Sequence, residues 1–268
     1  MADPRTRVHV VTGAGGGIGR AIVERLVADG HGVVALDRDA DALGALAVAG
    51  GRGGSGGPVV TLAGDAGDEA VTERAADLAQ DAGVLAGWVN NAAVFRDASV
   101  HADGAATVLG LVTTNLGLAL AGCTTAVRRF LAAGTPGAIV NVSSHQARQA
   151  VPGATPYVTA KAGIEGLTRA LAVEYGPRGV RVNAVAPGSV DTERYAGLLA
   201  AQPGDGAERI RRLMAEVHPL GRVARADEVA AAVAWLLSDD AGFVNGATLP
   251  VDGGRTVLAR DPEAQPGP

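Results

Sequence analysis

The chain has 268 residues, a formal net charge of −5, 47% hydrophobic residues and 19% charged residues. That is enough apolar material for a sizeable core and too much for a disordered chain, at a length suiting one large α/β domain or two small ones. With no basic stripe interleaved with aromatics, nucleic acid is not an expected partner.

The single cysteine, Cys123, excludes an internal disulfide framework and a cysteine-based metal cluster, and fits a reducing cytoplasm. The five histidines are scattered without ligand spacing, so no metal site is expected.

In chain order, MADPRTRVHVVTGAG holds too short an apolar run for a signal-peptide core. VHVVT (8–12) reads as a buried strand and 17–29 as an amphipathic helix; HGVVALD (31–37) is a second strand, followed by a short helix around 39–48. GGRGGSGGP (50–58) reads as a flexible loop, since no strand feeds into it. PVVTLAGD (58–65) is the third strand, 69–83 its helix, and VLAGWVNNAA (84–93) the fourth strand with its exit.

Residues 104–127 carry no charge over more than a membrane-spanning length. Asn115, five threonines and four glycines dilute the stretch, so the expectation is a helix buried in a core or a subunit interface, with no membrane. Strand 137–144, helix 156–175 and strand 180–188 follow, then a variable segment at 189–217, helix 227–237 and strand 246–254. This alternation predicts parallel crossovers and a sheet covered on both faces, in one doubly wound α/β domain over 1–258, with a frayed tail at 259–268.

The first strand turn, TGAGGGIG (12–19), misses the common G-x-G-x-x-G spacing because Ile18 stands at the sixth position; the spacing present is Gly13-x-x-x-Gly17-x-Gly19. Glycines where a first strand meets a first helix let a dinucleotide pyrophosphate rest on the helix N-terminus. Asp37 ends the second strand, where a carboxylate can accept from both adenosine-ribose hydroxyls and repel a 2′-phosphate, which favours NAD over NADP; alone, it is equally a helix N-cap. Arg38 next door is the residue that could instead hold that phosphate.

PYVTAKAG (156–163) contains the only lysine; the other 22 basic residues are arginine. Thr155 and Pro156 read as the N-cap and first turn of a helix that sets Tyr157 and Lys161 one turn apart on one face. An ammonium is compact where a guanidinium is a broad fork. Beside a phenol it is expected to favour the phenolate and to lower the phenol's pKa by roughly 2–3 units, giving a group that can donate or accept an alcohol proton.

With NNAA (90–93), Asn115, SS (143–144) and PGSVDT (187–192), these motifs resemble the short-chain dehydrogenase/reductase family in its single-domain branch, over nearly the whole chain. The resemblance implies a seven-stranded parallel sheet of order 3-2-1-4-5-6-7 and hydride transfer between a nicotinamide and a secondary alcohol or ketone. It implies Tyr157 as acid/base, with Lys161 tuning it and holding the nicotinamide ribose. Ser144 would bind the substrate oxygen and Asn115 a relay water; Ser143 falls one residue short of the family spacing.

Gly13, Gly17, Ile18, Gly19, Asp37, Asp65, Asn91, Pro187, Gly188, Val190 and Thr192 would line the cofactor. Ala93 stands where glycine is commoner. The segment 189–217 corresponds to a substrate-covering lid, and the helices at 104–127 and 156–175 would build a homodimer or homotetramer. Arg194, Arg209 and Arg211 are either acidic-substrate ligands or a solvated helix face, and His145 and Gln146 either pocket or loop residues. The alternatives to an NAD-dependent enzyme are one using NADP through Arg38 and a non-catalytic nucleotide sensor on the same fold.

Overall fold

The structure is a computed structural model and describes residues 6–50 and 57–259. Most of the loop placed at 50–58, and the tail beyond 259, lie outside the described residues.

The chain alternates strand and helix. It runs β1 (Arg7–Thr12), α1 (Gly17–Ala28), β2 (Gly32–Asp37), α2 (Ala40–Gly50), β3 (Val59–Ala63), α3 (Glu69–Ala82), β4 (Val84–Asn90), α4 (Gly104–Ala133) and β5 (Gly137–Val142). It continues through α5 (Thr155–Tyr175), β6 (Val180–Pro187), β7 (Val190–Asp191), α6 (Glu193–Ala200), α7 (Gly206–Val217), β8 (Ala224–Arg225), α8 (Ala226–Leu237) and β9 (Thr248–Val251). The main sheet has seven parallel strands in the order β3-β2-β1-β4-β5-β6-β9. This is the expected order, with β9 in the seventh place. The order reverses between β1 and β4, and the crevice at their carboxyl ends is where such sheets bind ligands.

Both sheet faces are covered, which is why the strands read as near-continuous Val/Ile/Leu runs. On one face Ile22, Val23 and Leu26 of α1 and Val229, Val233, Leu236 and Leu237 of α8 pack on Val11, Val89, Val140 and Val185. On the other, Cys123, Val127 and Phe130 of α4 and the α3 alanines pack on Val8, Val10, Trp88, Ile139 and Val182. Each of the larger side chains contributes about 1.5–3 kcal/mol on burial.

The uncharged helix is α4. By length and composition it is able to cross a membrane, yet here it is a covering helix between α3 and α5. Gly122 allows its close approach, because a Cβ there would run into the Asn90 side chain. Asn90 itself belongs to a buried chain: Trp88 Nε1 donates to Asn90 Oδ1 (3.0 Å), Asn90 Nδ2 to Asn141 Oδ1 (2.8 Å), and Asn141 Nδ2 to Thr168 Oγ1 (2.9 Å). The helix runs on to Ala133, past the end of the uncharged stretch, because Arg129 reaches α3 and pairs with Glu73 (2.6 Å) and Asp77 (2.8 Å). It stops at Gly134, whose φ of 62° suits a left-handed cap.

One local expectation is corrected. Thr155 is the first residue of α5 and not its cap; Ala154 takes that place without a side-chain bond, while the Thr155 carbonyl accepts from Thr159 Oγ1 (2.8 Å). The segment 189–217 is largely ordered as β7, α6 and α7, and β7 pairs with β8 in a separate two-stranded ladder.

Candidate active site

A cleft of about 660 Å³ opens at the carboxyl ends of the strands. One end is the turn between β1 and α1. Gly13 has φ 64°, and a Cβ on it would sit 2.8 Å from Ala92 Cα and 2.9 Å from Asn91 Nδ2. Gly17 has φ 50°. A Cβ on Gly19 would collide with the Gly13 carbonyl, so that glycine serves the packing of helix on turn.

Asn91 ties the two central strands together: its Nδ2 donates to Thr12 O (3.1 Å) and Gly13 O (2.8 Å). The backbone N–H groups of Asn91 and Ala92 each donate to Thr12 Oγ1 at 3.1 Å. The N-terminus of α1 has no side-chain cap from Gly16. Its Gly17 N–H donates instead to Glu193 Oε2 at 3.0 Å.

Asp37 ends β2 beside this turn, and its carboxylate accepts from Gly15 N (2.8 Å) and Asp39 N (3.0 Å). A glycine cradle, a helix N-terminus opening on it and a carboxylate at the end of the second strand are the features a dinucleotide requires. The residues therefore fit an NAD(P) cofactor, with Glu193 competing for the N–H of Gly17 at the start of α1.

Ser144, Tyr157 and Lys161 meet on the cleft wall. The Ser144 hydroxyl oxygen accepts from Gln146 N (3.2 Å), and Ser144 is the polar neighbour that favours the Tyr157 phenolate. Ser143 turns the other way, donating to Lys161 O and Glu165 Oε1, both at 3.3 Å. Both serines border the cleft, but the Ser143 hydroxyl is engaged and the Ser144 hydroxyl is the one left for a substrate.

Lys161 is buried; its Nζ donates to Val142 O (2.7 Å) and lies 5.4 Å from the centre of the Tyr157 ring. The expectation that Lys161 pulls the phenol down is corrected. Burial pushes Tyr157 up to about 12, and what opposes this is the charge of Arg194 and the Ser144 hydrogen bond. The same burial takes Lys161 down to about 8. Desolvation penalises the charged form of both groups, and at this site it is the largest cause of both shifts.

Gly13, Gly17, Ile18, Asp37, Asn91, Ser144, Tyr157, Lys161, Pro187, Gly188, Val190 and Thr192 all border the cleft. Gly19, Arg38, Asp65 and Asn115 do not. Arg38 pairs with Asp65 at 3.8 Å across exposed surface. Asn115 is buried in α4 and grips one backbone residue from both sides: Val94 N donates to its Oδ1 (2.8 Å), and its Nδ2 donates to Val94 O (3.0 Å).

His145 is also buried on the wall. Its Nδ1 donates to Pro187 O (3.2 Å) and burial holds it neutral, down to about 4, leaving Nε2 without a partner. The sequence reading passed over Phe95, whose ring stacks on Tyr157 with centroids 5.1 Å apart, and Glu193. Their only signal was position, Phe95 two residues beyond NNAA and Glu193 directly after PGSVDT.

A family profile described as enoyl-(acyl carrier protein) reductase matches residues 13–256. The chain belongs to the short-chain dehydrogenase/reductase family. Among its short-chain relatives, cis-4-hydroxycyclohexanecarboxylate dehydrogenase of Sinomonas cyclohexanicum is 42% identical over 258 residues, covering 94% of this chain and 97% of that one. The crystal structure of levodione reductase superposes with a TM-score of 0.85 at 32% identity, covering 94% of this chain and 98% of that one.

An Agrobacterium tumefaciens structure with bound NADP, described as a candidate 2-deoxy-D-gluconate 3-dehydrogenase, has a TM-score of 0.80 at 32% identity, covering 96% of this chain and all of that one. As a short-chain dehydrogenase/reductase, the protein is an NAD(P)-dependent oxidoreductase of alcohols and ketones.

Proposed function

We propose that the protein interconverts a cyclic secondary alcohol and its ketone with NAD(H), using Tyr157 as the acid/base. The observation that carries this reading is the convergence of Ser144, Tyr157 and buried Lys161 on the wall of a cleft that ends in the glycine turn. The ring-shaped substrate rests on the named activities of two relatives, cis-4-hydroxycyclohexanecarboxylate dehydrogenase and levodione reductase.

When bound, the nicotinamide supplies or accepts the hydride. In reduction, Tyr157 gives its phenolic proton to the carbonyl oxygen; a group near 12 keeps that proton through neutral pH. Ser144 has its oxygen engaged by Gln146 N–H, so its own hydrogen points to the substrate oxygen and stabilises the charge developing there. In oxidation the same atoms run in reverse, with Ser144 and the positive charge of Arg194 favouring the phenolate. Lys161, whose Nζ is held by Val142 O, is the cation placed to hold the nicotinamide ribose hydroxyls. Asn115 fixes the backbone at Val94, directly before Phe95, and thereby positions the loop that carries that ring.

NAD is favoured because Asp37 puts a carboxylate where a 2′-phosphate would sit, and Arg38 is engaged with Asp65. Thermal unfolding with NADH and NADPH side by side tests this. A ligand at 100 times its dissociation constant adds about 2.7 kcal/mol. NADH is expected to raise the midpoint and NADPH not. The reverse result assigns the phosphate to Arg38, and no shift with either removes the cofactor site and the enzymatic reading with it.

A further inference from the structure

We propose that Arg194 binds an anionic group of the substrate, a carboxylate carried on the far side of an apolar ring from the reacting alcohol carbon. This rests on the alcohol/ketone reaction just described. Arg194 is the second residue of α6 and borders the cleft. Its guanidinium carbon lies 4.4 Å from the centre of the Phe95 ring, and that ring is stacked on Tyr157 at 5.1 Å. Two contacts therefore separate the cation from the reacting phenol.

The other arginines of this segment behave differently. Arg209 and Arg211 stay off the cleft, and Arg211 pairs with Glu208 (3.5 Å). Among the described residues Arg194 has no ion pair and no hydrogen bond. Its neighbour Glu193 is the obvious counter-ion, but that carboxylate is taken by the Gly17 N–H. Arg96 borders the cleft beside Phe95 and also lacks a bonded partner among the described residues; of the two acids on that loop, Asp97 and Asp103, Asp97 borders the cleft.

A guanidinium lying on an aromatic face keeps its N–H edge free, and that edge matches a carboxylate in two parallel hydrogen bonds. The cleft that holds this cation and Tyr157 is also lined by Val151, Pro152, Leu198 and Met214, apolar surface for a hydrocarbon body. The pattern calls for a molecule with an alcohol at one end, an anion at the other and carbon between.

The test uses the full chain with NAD⁺ and two alcohols, 4-hydroxycyclohexanecarboxylate and neutral 4-methylcyclohexanol. Wild type is expected to favour the carboxylate by tenfold or more in kcat/KM. Arg194→Met is expected to erase that ratio through KM, and Arg194→Lys to restore part of it. A ratio equal in wild type and Arg194→Met overturns the proposal. So does an Arg194→Met variant that weakens NADH binding, read by NADH fluorescence, and slows both alcohols alike, because Arg194 would then belong to the cofactor. If wild type oxidises neither alcohol, the reaction reading fails. The arginine is then judged by calorimetry with cyclohexanecarboxylate: binding lost in Arg194→Met supports the proposal, and no binding to wild type overturns it.

Discussion

Lys161 is the chain's only lysine and, among the described residues, its one fully buried cation. A guanidinium keeps its charge at any ordinary pH, whereas a buried ammonium can give it up. Burial lowers Lys161 from 10.5 to about 8. Below pH 8 the group is charged in folded and unfolded chains alike, and the full cost of burying it is present. Between 8 and 10.5 the unfolded chain binds more protons, so stability rises with pH. The cost relieved is roughly 3 kcal/mol.

Lys161→Met, which removes that cost and loses one bond worth about 1 kcal/mol, is therefore expected to melt higher than wild type at pH 7. The gap should narrow as pH passes 8 toward 10.5. Melting curves at pH 7 and 10 check this, and a gap that does not change with pH would refute it. For Tyr157→Phe the expected result is a loss of 10²–10⁴ in turnover, with the NADH-induced melting shift retained. Turnover at the wild-type rate would end the acid/base assignment.

At the scale of elements, two contacts hold the cleft in shape. Asn115 joins α4 to the loop after β4 through both sides of Val94. Asn115→Ala strands a buried donor and acceptor, an expected cost of about 1–3 kcal/mol. Asn115→Asp keeps the bond from Val94 N and should lose less in thermal unfolding. An unchanged melting temperature with lost turnover would instead favour the proton-relay role implied by the family. The second contact joins α6 to α1, where Glu193 occupies the helix N-terminus. An anion there contributes about 0.3–1 kcal/mol, and a dinucleotide pyrophosphate wants the same N–H. Glu193→Gln is expected to tighten NADH binding severalfold in a fluorescence titration; weaker binding would show that the carboxylate helps to hold the cofactor.

For the whole molecule, the question is what covers the outer faces of α4 and α5. Leu109 and Leu120 on α4 and Val173 on α5 are exposed, Val173 at 79%. Apolar faces of this kind mark contacts between chains, and a dimer or tetramer through them is the expected state. Light scattering at micromolar concentration should give a multiple of the chain mass for wild type and a single chain for Leu109→Glu/Leu120→Glu. A monomeric wild type would reject this assembly.

The layered sheet was legible in the chain because its signals are local. Val8 to Val11, Val33 to Leu36 and Ile139 to Val142 read as strands because each is buried on both faces, and α1 and α8 show their helical period. Glycine spacing and the Tyr157–Lys161 turn were legible for the same reason, since three or four residues on one strand or helix set their own geometry.

Three things were decided only by tertiary contact. Glu193 lies 176 positions from Gly17, yet it caps that residue's helix. Arg194 meets Phe95 across a 99-residue separation and acts on Tyr157 by charge. The direction of the Tyr157 and Lys161 shifts was also hidden. A sequence shows which charge stands near which, but the cost of taking both out of water depends on how much of the fold closes around them.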